Sequence, residues 1–276
     1  MSLDSLFKLL SCPVCRGQLV NTAPDTDGAE SALSCAACAS SYPVRSGIPD
    51  LVPHNVDVDA EWDTWREHLV AFQTRRTNRE TDPERLVNRM SRSGGPQQVA
   101  FAQFTGIHDG VVLDIGCGPG KFRHHLPAAV KYIGMDPVPL PESTEFSFVR
   151  GIAENIPLPD GSVRHITVLS ALDHFKVCRT FLSEAVRVLE PDGRLHIVQQ
   201  IHEHGLSIRS VAHWIKDTLE DRSTKHDDSV PHHMTEFDRE DLNEALQQDF
   251  IKENEQIYSM SFYTPRRLFL TLAPKR

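Results

Sequence analysis

The stretch Val111 to Gly120 reads V-V-L-D-I-G-C-G-P-G, an apolar run that closes on an acid and passes into a loop holding Gly116, Gly118 and Gly120. Val111 to Ile115 suits a buried strand, and the alternating glycines leave no side chains between the backbone and a ligand lying against it. In a βα unit such a loop turns the chain out of the strand and brings the ligand to the start of the next helix. Two acids make the loop more specific. Asp114 closes the apolar run, and a second strand, Tyr132 to Met135, ends at Asp136 one βα repeat later. A carboxylate at that strand end accepts hydrogen bonds from both hydroxyls of a ribose, so a nucleoside-bearing cofactor is expected. Asp114 would repel a pyrophosphate, which favours a cationic cofactor over a dinucleotide.

The spacing Asp114-x-Gly116-x-Gly118-x-Gly120 resembles motif I of the class I S-adenosylmethionine-dependent methyltransferases, and the likeness continues as five ordered segments from Val111 to Gln200. Phe146 to Arg150 gives a third strand, and Gly151 to Ser162 is similar to the segment that meets the adenine. Val163 to Ser170 reads as a fourth strand. The helix Cys178 to Leu189 leads into the turn Glu190-Pro-Asp-Gly193 and the strand Arg194 to Gln200, similar to the family's R-x-L-K-P-G-G-x-L turn. The resemblance implies a Rossmann-like α/β sheet of seven strands, the last antiparallel, of the methyltransferase type 11 group. It also implies cofactor contacts from Asp114, Gly116, Cys117, Gly118, Gly120, Asp136, Pro137, Ile152, Ala153, Glu154 and Ser170. One position departs from the pattern: relatives commonly carry an acid where Ile152 stands, and Ile152 can only pack against the ring, so either affinity is lower, or Glu154 or a backbone carbonyl accepts from the adenine amino group. Cys117 reads as a small packed side chain beside the cofactor, with a reactive thiol as the alternative.

Near the N-terminus, Cys12-Pro-Val-Cys15 and Cys35-Ala-Ala-Cys38 are separated by nineteen residues. That spacing suits four thiolates closing tetrahedrally on one zinc ion, with a redox dithiol or disulfides as the competing readings. The intervening Asn21 to Ser31 is polar and turn-rich, as a hairpin loop would be. With Ser41 to Pro53 the segment resembles the zinc ribbons of methyltransferase activator subunits, which implies a structural zinc and a ribbon that can bind a protein partner. The expected organisation is a ribbon over 1–55, a helical connector or lid over 56–105, and the methyltransferase domain over 106–276 with a substrate-side insertion at 201–234. In the connector, Trp62, Trp65, Leu69 and Phe72 recur at helical spacing, and a helix Gln97 to Phe104 follows the break Ser91 to Pro96.

At 276 residues and 39% hydrophobic composition the chain can build one large domain and a small one. No apolar run approaches the roughly 18 to 20 residues that span a bilayer, so no membrane span is expected and a cytoplasmic enzyme is the default reading. The net charge of −9 weighs against a protein that holds long nucleic acid by phosphate neutralisation. At the end of strand four, Ser170-Ala-Leu-Asp-His-Phe175 lacks the N/D-P-P-Y/F turn used on planar amino groups, and His174 is a candidate base or part of the pocket floor. Beyond Gln200, Ile201 to Glu220 has the pattern of an amphipathic helix, and Met234 to Leu242 carries a helix-start signal. His232 and His233 are further candidates for a base or hydrogen-bond role; with His202 and His204 they lack a metal-ligand spacing. The last two strands are expected at Ile251 to Met260 and Arg267 to Leu272.

The expected activity is methyl transfer from S-adenosylmethionine to an oxygen or nitrogen on a small molecule, lipid or saccharide. One alternative is a ribosomal or transfer RNA base methyltransferase of the guanine-N1 type, whose ribbon-plus-domain order is similar. The other is a catalytically idle subunit that binds a protein partner through the ribbon.

Overall fold

The computed structural model describes residues 3–22, 31–53, 67, 95–137, 145–201, 237–259 and 266–276. Trp62, Trp65, Leu69 and Phe72 of the expected connector helix, the insertion helix beyond Ile201, and His202, His204, His232 and His233 lie outside the described residues.

Helix α1 (Leu3–Leu9) precedes a small antiparallel sheet of β1 (Leu19–Thr22), β2 (Ser31–Cys35), β3 (Ser41–Arg45) and β4 (Ile48–Pro49), paired in chain order. The polar segment from Asn21 therefore joins a hairpin in which Leu19 faces Cys35. The second sheet contains β5 (Val111–Ile115), β6 (Lys131–Asp136), β7 (Ser147–Arg150), β8 (Val163–Leu169), β9 (Leu189–Gln200), β10 (Phe250–Tyr258) and β11 (Arg267–Pro274). Its order is β10-β11-β9-β8-β5-β6-β7, with β5 to β9 parallel to their neighbours and β11 antiparallel to both β9 and β10. The chain leaves β5 for β6 and β7 on one side and returns to β8 on the other. That reversal opens a crevice above the carboxyl ends of β5 and β8.

The strands are apolar on both faces because both faces are covered. Leu268 and Leu270 join a core with Phe181, Leu182, Ala185 and Val188 of α3 (Cys178–Val188), whereas Phe269 between them joins Phe101 of α2 (Pro96–Thr105) and Phe122. The Phe101 ring lies 5.2 Å from Phe269 and 5.5 Å from Phe122, so aromatic packing closes that second face. Helix α4 (Arg239–Gln247) starts where Asp238 accepts from the amides of Glu240 and Asp241, both at 2.8 Å, and it buries Leu242 and Leu246.

Two local expectations are corrected. The helix expected to start directly after the glycine loop is a short 3-10 segment, Lys121–His125. Glu190 to Gly193 is not a separate turn before a strand: β9 starts at Leu189, opposite Val163, and Arg194 is already opposite His165. The four residues bulge from the ladder, and strand pairing resumes beyond them.

The ribbon and the large sheet share one hydrophobic core. Leu6, Leu10, Leu33 and Leu51 are fully or almost fully buried in the same cluster as Ile156, Leu158 and Phe181. At the sheet's edge, Asp50 bridges to Arg150 in parallel register and the Leu51 amide donates to the Arg150 carbonyl at 2.8 Å, so the ribbon caps the otherwise open β7.

Candidate active site and metal centre

Gly116, Gly118 and Gly120 all take left-handed φ values, 66°, 51° and 65°. A Cβ on Gly116 would stand 2.4 Å from the Ala171 Cβ, and one on Gly120 would stand 2.6 Å from the Phe146 ring, so the loop is pressed between the end of β8 and an aromatic side chain. Its amides are tied to β6: Gly116 N–H donates to the Met135 carbonyl at 2.8 Å and Gly118 N–H to Asp136 Oδ2 at 2.8 Å. Asp136 thus clamps the loop from the position at which a ribose carboxylate is expected. The Cys117 thiol points to the Gly118 carbonyl at 3.4 Å and packs against Gly134, in keeping with the packed reading of that residue. Arg123 donates to the carbonyls of Pro119 and Gly120 at 3.2 and 2.8 Å and lies over the Phe146 ring, holding the far end of the loop.

Asp114 is buried one residue row below the loop rather than open to it. Its Oδ2 accepts from the Tyr132 hydroxyl at 2.6 Å and its Oδ1 from Thr167 Oγ1 at 2.8 Å. Burial raises its pKa to about 7 against those two bonds, with the Asp136 charge adding to the rise. Both carboxylate oxygens are thus already engaged within the sheet, which leaves neither of them as a direct hydrogen-bond acceptor at the loop surface.

The segment after β7 is buried from Gly151 to Ala153, and Ile152 packs into the core at the start of a 3-10 turn, Ala153–Asn155. Glu154, one of the alternatives for the adenine acceptor, has one oxygen engaged elsewhere: Oε1 accepts from the Val177 amide at 3.0 Å, at the entry to α3. That turn aims the side chain at an orphan amide of a helix start, a role the sequence pattern does not distinguish from ligand binding. Ser170 has φ 54°, and its Oγ accepts from Arg267 Nη1 at 2.8 Å. His174 ends a 3-10 turn, Leu172–His174, directly after β8, half-buried at the crevice.

The four ribbon cysteines converge, with all thiol sulfurs within 4.8 Å of one another. Cys12 and Cys38 are 3.6 Å apart and Cys15 and Cys35 are 3.4 Å apart, close to the spacing of about 3.8 Å for a tetrahedron of ~2.3 Å zinc–sulfur bonds. Each C-x-x-C folds as a knuckle, with Arg16 N–H donating to Cys12 O and Ala39 N–H to Cys35 O, and Arg16 and Ala39 adopt left-handed φ. The donor set fits a closed zinc site. All six cysteines are free thiols, which leaves out the disulfide reading.

Two side-chain relays join the ribbon to the large sheet. Arg16, in the first knuckle, donates to Glu184 Oε1 at 2.8 Å, and Glu184 Oε2 accepts the Ile156 amide at 3.0 Å. Arg187 completes the cluster by donating to Glu184 and to the carbonyls of Ile156 and Leu158. Nearby, Ser11 N–H donates to the Pro157 carbonyl at 2.9 Å and Asn155 to the Pro13 carbonyl at 3.3 Å. In the second relay Asp50 pairs with Arg150, whose Nε donates to the Pro137 carbonyl at 3.0 Å, one residue beyond Asp136.

Residues 113–197 match the family profile described as a methyltransferase domain, and residues 4–47 match the Trm112p-like protein family. The chain joins a Trm112p-like domain to a methyltransferase domain. Among solved structures, the fold of this chain is similar to that of Burkholderia thailandensis 1,6-didemethyltoxoflavin-N1-methyltransferase, with TM-score 0.54 and 16% identity over 93% of this chain and 99% of that one. That protein was solved with 1,6-didemethyltoxoflavin and S-adenosylhomocysteine bound. The PH0226 protein of Pyrococcus horikoshii has TM-score 0.50 and 14% identity over 67% of this chain and 93% of its own. No curated protein matches the chain. No helix among the described residues is long and apolar enough to cross a membrane.

Several working residues were not singled out in the sequence. Tyr132 and Thr167 alternate onto the same sheet face as Asp114, a signal present in the strand periodicity but silent about hydrogen bonding. Arg150 and Arg267 carry no local signature, because their side-chain partners Asp50 and Ser170 lie more than 90 residues away, and the local Glu184–Arg187 pair gives no hint that Arg16 of the ribbon joins it.

Proposed function

We propose that this protein transfers a methyl group from S-adenosylmethionine to an oxygen or nitrogen of a small molecule, lipid or saccharide. In this reading the ribbon, residues 1–55, permanently braces the cofactor side of its own methyltransferase domain, residues 106–276. Asp136 and Pro137 would meet the ribose, the Gly116 to Gly120 backbone the amino-acid end, and Ile152, Ala153 and a backbone carbonyl the adenine. Asp114, beneath the loop, would favour the cofactor's positive charge. Bound S-adenosylmethionine supplies a methyl group already activated on a sulfonium, so the chain's task is placement and exclusion of water. His174, beside the crevice, would accept the proton of a protonated acceptor.

The observation that supports this acceptor class is the Arg16–Glu184 pair. The ribbon's first-knuckle cation is turned toward its own methyltransferase domain, on a chain whose net charge is −9, which disfavours a phosphate-tethering ribbon. The zinc-loaded protein is incubated with methyl-labelled S-adenosylmethionine and either a small-metabolite extract or total RNA. Label in the metabolite fraction supports the reading. Predominant label in RNA overturns the acceptor class, and no label in either together with no cofactor binding overturns the enzyme.

A further inference from the structure

At the carboxyl end of the parallel strands, on the β9 side of the crevice, stands a cation that makes no ion pair with a carboxylate among the described residues. Arg267 opens β11 opposite Gln200, the last residue of β9. Because β11 runs antiparallel, its first residue lies at the level where the parallel strands end. Arg267 alternates with Phe269 and Thr271, so it lies on the sheet face covered by α2, beyond the aromatic layer of Phe101, Phe269 and Tyr258. Tyr258 stacks on Phe269 with ring centres 5.0 Å apart.

Arginine offers five N–H donors. Among the described residues Arg267 uses one, from Nη1 to Ser170 Oγ at 2.8 Å. No carboxylate among them lies within ion-pair distance of it, although Asp173 and Tyr258 are close enough to be felt electrostatically. The guanidinium is half-buried, and desolvation depresses its pKa without removing its charge. Half-buried cations are ordinarily paired, because lost hydration is otherwise uncompensated. Ser170 sits in the left-handed region at the end of β8, a conformation uncommon for a non-glycine residue and one that concentrates at functional sites. Its amide is fixed to the Val198 carbonyl at 2.8 Å, so serine and guanidinium form a rigid pair across β9.

The cofactor carboxylates, Asp114 and Asp136, lie on β5 and β6, on the other side of the switch point. The acceptor's place is then toward β8, β9 and β11. We infer that Arg267, oriented by Ser170, binds an oxyanion of the methyl acceptor, so that the substrates of this enzyme carry a carboxylate or a phosphate. Arg267 is a specificity-determining residue in this assignment, and its planar fork suits either anion in two parallel hydrogen bonds. The inference rests on the methyltransferase reading and narrows its substrate class.

The test uses the full chain with zinc and saturating S-adenosylhomocysteine. The Arg267 side-chain Nε–H resonance, assigned by its loss in Arg267→Gln, is followed by NMR during titration with benzoate, phenyl phosphate and phenol. A saturable shift with one or both anions, absent with phenol and accompanied by affinity at least about tenfold weaker in Arg267→Gln, supports the inference. A response to benzoate alone assigns a carboxylate, and a response to phenyl phosphate alone assigns a phosphate. No saturable shift with either anion, an equal response to phenol, or unchanged anion affinity in Arg267→Gln overturns it. S-adenosylhomocysteine affinity is measured on the same samples. If wild-type protein fails to bind it, the methyltransferase reading fails; if both proteins bind it equally and the anions do not bind, only the acceptor inference fails.

Discussion

Asp50 of the ribbon and Arg150 at the end of β7 form an ion pair, and the same guanidinium reaches the carbonyl of Pro137, next to the clamp residue Asp136. A charge at the end of the ribbon's last strand is thereby three contacts away from the glycine loop, through Arg150, the Pro137–Asp136 backbone and the Gly118 amide. Because Asp136 also holds the Gly118 amide, displacement of Arg150 is passed to the loop through one strand end.

Asp50→Asn keeps the size of the side chain and removes the charge. Arg150 is left half-exposed with a weaker acceptor, and the Pro137 contact loosens. Affinity for S-adenosylhomocysteine should fall by about tenfold, the effect of losing one charge-assisted bond. Calorimetric titration checks this beside a zinc stoichiometry that should remain one per chain. Unchanged affinity would show that the relay does not position the cofactor side.

Removal of zinc should reach beyond the ribbon. Leu6, Leu33 and Leu51 share a core with Phe181 and Leu182, so a ribbon that loses its metal exposes part of the methyltransferase core. Chelation is expected to lower the thermal midpoint by more than about 5 °C, since each kcal/mol lost moves a domain of this size by about 2–4 °C. Calorimetry of metal-loaded and chelated protein makes the comparison. A methyltransferase transition that stays at the same temperature would mean that the two parts are energetically independent.

The Asp114 carboxyl, raised by burial to about 7, gives a pH dependence of known sign. Between about pH 4 and 7 the folded state retains this proton and the unfolded state does not, so this group lowers stability as pH rises and then levels off. A cationic ligand above Asp114 favours its ionised form. Affinity for S-adenosylmethionine should rise by up to about tenfold per pH unit below 7 and flatten above it. Asp114→Asn should give a flat profile, measured by titrations from pH 5.5 to 8. A flat wild-type profile would separate Asp114 from the cofactor's charge.

A buried histidine pair acts in the opposite direction. His165 Nδ1 and His196 Nε2 are 3.1 Å apart on neighbouring strands, and His196 Nδ1 lies 3.0 Å from Thr271 Oγ1. Desolvation first, then neighbouring cationic groups, lower their pKa values to about 4 and about 3. Both remain neutral in the folded state while the unfolded chain takes up protons below about pH 6.5. Their contribution to stability is present above that pH and is lost as pH falls toward 4. His196→Gln should shift the acid-unfolding midpoint to lower pH, followed by circular dichroism. A midpoint that does not move would assign acid sensitivity to other groups.

The elements legible in the sequence are those encoded locally. The two C-x-x-C knuckles fold within five residues each, and β5, β6 and β8 are apolar runs whose ends are marked by Asp114, Asp136 and Ser170. The uses of side chains were less legible, because they depend on which distant group arrives. Glu154 has the composition of a ligand acceptor, yet it caps the entry to α3. Asp114 has the position of an exposed loop acid, yet Tyr132 and Thr167 cover both oxygens from adjacent strands. The docking of the ribbon on β7 was not visible at all: Asp50 and Arg150 are ordinary surface charges until the fold brings them together.

The central claim is that the glycine loop and its carboxylates form a working cofactor site held in shape by the ribbon. S-adenosylhomocysteine titrated calorimetrically into the zinc-loaded protein tests it most directly. The account predicts saturable binding at one site per chain that weakens when zinc is removed. A cooperatively folded, zinc-loaded protein with no saturable binding would contradict it.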